Sequence, residues 1–82
     1  MMARMTARAV VKRAKREAAM AARQVIRSVR AGDCRSASEA LGELIMLQGR
    51  VNKIAWSGRP PAVVTDASVR RLKNVYSRAC RI

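Results

Sequence analysis

Histidine and phenylalanine are absent from this 82-residue chain, which holds one tryptophan, one tyrosine, two cysteines and two prolines. Without histidine, and with cysteines only at positions 34 and 80, neither the donor set nor the spacing of a zinc site can be assembled, so no metal or cofactor is expected. Acids are scarce as well, Asp+Glu numbering 5. The scattered acids, the lack of a glycine-rich phosphate loop and the lack of a base near either cysteine leave no acid–base or nucleophilic machinery, and catalysis is not expected. Without such machinery no small-molecule substrate is expected, and since no uncharged apolar run approaches the roughly 20 residues that span a bilayer, no membrane partner is expected either. Cys34 and Cys80 are expected as reduced thiols, with a disulfide between them as the alternative. The first thirty residues are Arg-rich and acid-poor, as mitochondrial presequences are, which leaves an uncleaved targeting role open.

What the chain does hold is positive charge. Lys+Arg number 18, for a formal net charge of +13 and a pI near 11.8. Such an imbalance destabilises a compact state by self-repulsion, and a polyanion that neutralises it supplies the reason to carry it. A hydrophobic fraction of 50% argues against a wholly disordered basic tail. With aromatics at 2% and alanine at many apolar positions, thin and closely packed helices are favoured over a sheet sandwich. A chain this short buries only about 60% of its unfolded surface, so a partner is expected to complete its stability.

The pattern along the chain predicts an all-α fold, a three-helix bundle with a long basic first helix, in one domain over residues 1–82. The helices are placed at about 3–31, 36–56 and 66–80, with a linker over 57–64. In the first, Val11, Ala14, Ala18, Ala22, Val25 and Val29 recur at steps of three and four. Arg8, Lys12, Lys15, Arg16, Arg23, Arg27 and Arg30 gather on a stripe away from that seam. Gly32-Asp33 closes the helix, since glycine accepts the left-handed conformation there. Ser36 and Glu39 have the spacing of a capping box for the second helix. Leu41, Leu44, Ile45, Leu47, Val51 and Ile54 form the most hydrophobic face. Ser57 to Pro61 cannot continue a helix. Thr65 or Asp66 then caps the third, with Val69, Leu72, Tyr76 and Ala79 inward and Arg70, Arg71, Lys73, Arg78 and Arg81 around the rest.

Charge runs are usually solvated faces, but such faces mix signs, and here Glu17 is the only acid before Asp33. The basic stripe therefore reads as a nucleic-acid contact. Gly42 and Gly49 each cost about 1 kcal/mol relative to alanine inside a helix, so a close approach is expected there. The alanine-rich first helix is the expected neighbour, with an RNA or protein backbone as the alternative. Trp56 is expected to plug the open end of the bundle, with base stacking as the alternative. Asp33, Glu39 and Asp66 sit where helix starts favour negative charge, and Glu17 and Glu43 are placed to pair with basic neighbours.

Lys12-Arg13-Ala14-Lys15-Arg16, Val25-Ile26, Ala31-Gly32-Asp33, Ala40-Leu41, Asn52-Lys53-Ile54-Ala55 before Gly58, and Arg71-Leu72 occur in an order and approximate spacing that resembles a known family. It is that of the small-subunit ribosomal protein numbered twenty in the bacterial scheme. The resemblance runs over nearly the whole chain. It implies a three-helix protein that holds ribosomal RNA helices together without chemistry, in a bacterial or organellar ribosome. By position it implies RNA contacts at Lys12, Arg13, Lys15, Arg16, Arg23, Arg27, Arg70, Arg71 and Arg78. The chain departs from that family in a shorter first helix, a slightly longer second helix, and Pro60-Pro61-Ala62-Val63-Val64 in place of a basic turn.

The expected function is thus a structural component of a small ribosomal subunit, with ribosomal RNA and neighbouring proteins as partners. A DNA-condensing protein of a virion interior or nucleoid, or a helical scaffold subunit of a protein complex, are the alternatives.

Overall fold

The computed structural model describes residues 7–53 and 60–80, with side chains from residue 9 onward. It is an all-α three-helix bundle of α1 (Ala7–Arg30), α2 (Cys34–Lys53) and α3 (Asp66–Ala79), and no strand occurs among the described residues. Residues 3–6 and 54–56 of the expected helices, and with them Trp56, lie outside the described residues.

The α1 side of the core is built from Ala14, Ala18, Ala21 and Val25, all buried. Small side chains let the α1 and α2 axes approach, and larger ones on α2 fill the space: Leu41, Leu44, Leu47 and Val51 are buried with Ala40 in the same cluster. Leu44 has no exposed surface, a burial worth about 1.5–3 kcal/mol. Ser28 is the one buried polar side chain among the described residues, and its Oγ accepts a 3.2 Å hydrogen bond from Gln24 Nε2. Ile45 departs from expectation. Although it stands in the apolar run of α2, it is 39% exposed, because its position turns past the edge of the core face.

Gly32 ends α1 with φ 74°. Its N–H donates to the Val29 carbonyl at 3.1 Å, and the Asp33 N–H donates to the Ser28 carbonyl at 2.8 Å. This paired closure satisfies the last free carbonyls of α1 and needs a residue that tolerates positive φ. The next helix starts at once. Its cap is Asp33, whose Oδ1 accepts the Ser36 N–H at 3.1 Å, and α2 begins at Cys34. The expected capping box of Ser36 and Glu39 is therefore corrected: both lie inside the helix, and Glu39 pairs with Arg35 at 3.9 Å instead.

The expected linker is partly structured. Pro61 is extended (φ −52°, ψ 140°) and Ala62–Val64 form a single 3₁₀ turn, closed by the Val64 N–H on the Pro61 carbonyl at 2.9 Å. That turn sends Val64 into the core at 1% exposure, so this segment closes the bundle rather than running over its surface. Thr65 caps α3, its hydroxyl oxygen accepting the Ser68 N–H at 3.2 Å and donating to the Ala62 carbonyl at 3.1 Å. Val69 and Leu72 are buried on α3, with Tyr76 half-buried beside them, while Ala79, expected inward, is exposed.

The expectation of two reduced thiols is overturned, since Cys34 and Cys80 form a disulfide with their Cα atoms 5.8 Å apart. Their separation of 46 residues misleads because the alternating helix directions bring the start of α2 and the end of α3 to one end of the bundle. Closing a loop of that length removes entropy from the unfolded chain worth about 4 kcal/mol. A core of this size rarely supplies more than about 3–5 kcal/mol, so the bond is comparable with everything else that holds the fold.

Candidate nucleic-acid interface

On α1 the seam of alanine and valine fixes the opposite side by helical geometry alone. At about 100° per residue, Lys12, Arg16, Arg23, Arg27 and Arg30 fall within an arc of about 60°, on the side away from Ala18 and Val25. All five are exposed. Along the axis they span about 27 Å at about 1.5 Å per residue. Lys15 is exposed on one edge of this row. Arg13 lies on the other, where it pairs with Glu17 at 3.4 Å, so the acid is held to the flank. Arg8 belongs to α1 by its backbone, but its side chain lies outside the described residues.

The row opposes the helix that carries it. Lys12 with Arg16 and Arg23 with Arg27 are like charges four apart, and Arg27 with Arg30 three apart, each disfavouring the helix by about 0.2–0.5 kcal/mol. Arg27 and Arg30 recover part of this in the last turn, where the negative end of the helix dipole favours cations. An external anion would turn the remaining repulsion into attraction.

Arg23, Arg27 and Arg30 also surround a shallow groove floored by Ile26, which is 40% exposed. Planar guanidinium groups around an apolar floor suit a sugar-phosphate backbone, with bidentate contacts to phosphate and van der Waals contact to sugar. A row of like cations spaced along one helix face is suited to positioning on a phosphate backbone. Stacking of a base on an aromatic ring has no support among the described residues, because Tyr76 packs against the core.

On α3, Arg70, Arg71 and Arg78 are exposed on the side away from Val69 and Leu72. Lys73 is exposed too, but it shares a shallow groove with Arg70, Gln48 and Asp66. Asp66, which accepts a hydrogen bond from Gln48 Nε2, offsets cationic charge there. The structure thus assembles the α1 cations into one row and sets the α3 cations on a second, separate surface.

Three exposed cations of α2 were not among the contacts expected from the sequence: Arg35, Arg50 and Lys53. The last two occupy the final turn of α2, a position favourable for cations, and the apolar run beside them hid that signal. The expected close packing at Gly42 and Gly49 is also corrected. Both face solvent, and a Cβ added at either would meet nothing within 4 Å. They sit on the outward face of α2, so α1 does not account for them.

Among the described residues no group of three or more His, Cys, Asp or Glu could hold a metal ion, and no helix is long and apolar enough to cross a membrane. No family model, curated protein or solved structure matches this chain.

Proposed function

We propose that this protein is a structural, non-catalytic RNA-binding component of a ribonucleoprotein, as its resemblance to a small-subunit ribosomal protein implies. The observation that carries the reading is the row of Lys12, Arg16, Arg23, Arg27 and Arg30, uninterrupted by acid and opposite the buried seam. Laid along a phosphate backbone, the row replaces condensed counterions, whose release drives binding. Arg70, Arg71 and Arg78 meet a second segment of the same folded RNA, so that the protein holds two converging strands of charge. Grooves of A-form RNA offer side chains little sequence readout, and recognition is by shape.

A second reading is favoured by the Cys34–Cys80 disulfide, which persists in oxidising surroundings: a DNA-condensing protein of a virion interior. The two separate by ligand. Fluorescence anisotropy at physiological salt, comparing a folded RNA junction with bare duplex DNA of equal phosphate number, should give tighter binding to the junction. Equal affinities would sink the RNA reading and favour DNA condensation.

A further inference from the structure

We propose that the Cys34–Cys80 bond is a redox latch that keeps the α3 cations in a fixed position relative to the α1 row, an inference that rests on the RNA-binding function proposed for the chain. The attachment of α3 is unequal at its two ends. At its start, Thr65 caps the helix, Val64 is buried beneath it, and Asp66 is hydrogen-bonded to Gln48 of α2. Beyond Asp66, among the described residues, no hydrogen bond or ion pair joins an α3 side chain to α1 or α2. What holds the helix beyond its first turn is Leu72 in the core, half-buried Tyr76, and the disulfide at Cys80, with Val69 buried at the end of that turn. Arg70, Arg71 and Arg78 all lie beyond the first turn, Arg78 nearest to Cys80.

The sulfurs differ in access: Cys80 is 8% exposed, whereas Cys34 is half-buried at the first position of α2. A small thiol therefore attacks the sulfur of Cys34. Its thiolate forms a mixed disulfide there and expels the Cys80 thiolate, which takes up a proton. A second thiol then attacks the mixed disulfide at the sulfur of the small molecule, leaving Cys34 as a thiol and releasing the small-molecule disulfide. Two thiols are oxidised to one disulfide as the protein bond is reduced to two thiols. With the latch open, α3 keeps its anchored start and a small apolar contact, and its cations no longer hold a fixed position relative to the α1 row.

The test uses the full chain, oxidised and after reduction by dithiothreitol. Circular dichroism should place the melting temperature of the reduced chain lower by at least about 15 °C. In a plot of log affinity for the folded RNA junction against log salt, the slope should flatten by about 2–3 units on reduction, one contact being lost for each of Arg70, Arg71 and Arg78. The oxidised variant Arg70→Gln/Arg71→Gln/Arg78→Gln keeps the bond and supplies the reference: its slope should match that of the reduced wild type. Cys34→Ser/Cys80→Ser should behave as reduced without any thiol present. A melting temperature indifferent to reductant overturns the latch, as does a reduced chain that keeps the oxidised slope. If neither form binds RNA, the functional reading itself fails, whatever the melting curves show.

Discussion

Asp33 serves two helices at once. Its N–H closes α1 on the Ser28 carbonyl, and its carboxylate caps α2 through the Ser36 N–H. Hydrogen bonds from the Ser36 hydroxyl and then its backbone N–H, with the Arg35 guanidinium nearby, hold the carboxyl below its ordinary 3.8. A carboxyl lowered in the folded state contributes stability that is present above its unfolded value and is lost as pH falls through the folded value. The start of α2 should therefore fray only as the pH drops below about 4, visible as loss of Ser36 amide protection in an acid titration. Asp33→Asn keeps a capping side chain without a charge and should remove that pH dependence. Unchanged Ser36 protection through the acid range would contradict the assignment. The cap shows where a local pattern misleads: Ser36 and Glu39 have the right spacing, but Asp33 already stands at the turn that Gly32 imposes.

In α2, Gly42 and Gly49 carry a cost that no contact among the described residues repays. Gly42 and Gly49 lie on its solvent side with open space around them. Gly42→Ala and Gly49→Ala should each stabilise the isolated protein by about 0.5–1 kcal/mol, raising the melting temperature by several degrees. Destabilisation by either would mean that the helix needs glycine there for a backbone reason. The three helices and the alanine seam of α1 were legible in the sequence, because apolar steps of three and four survive in any helix that buries one side. So was the α1 stripe, since the face opposite a seam is set by geometry. The role of Ala62-Val63-Val64 was not legible, because prolines mark where a helix breaks but not how the chain packs beyond the break. The disulfide was not legible either: sequence separation carries no information about which helix ends meet, and that depends on helix lengths and directions together. Arg50 and Lys53 were overlooked for a simpler reason, that an apolar run draws attention from its last turn.

The described residues measure 46 × 26 × 15 Å, and so thin a body leaves little interior against a formal charge of +13. Covalent closure by Cys34 and Cys80 offsets this, and under the proposed function charge neutralisation by a polyanion would do so as well. Under the proposed function the α1 row is a docking surface rather than a share of diffuse charge. Replacing Arg23 and Arg27 with glutamine leaves Ala18, Ala21 and Val25 untouched, so the oxidised fold should survive. Replacing Arg35 and Arg50 on α2 removes the same charge from another face. The deciding measurement is the slope of log affinity against log salt for the folded RNA junction with the wild type and these two double variants. Arg23→Gln/Arg27→Gln should flatten the slope by about 1.4–1.8 units, and Arg35→Gln/Arg50→Gln by much less. Equal flattening by both would show attraction to total charge and would contradict a docked α1.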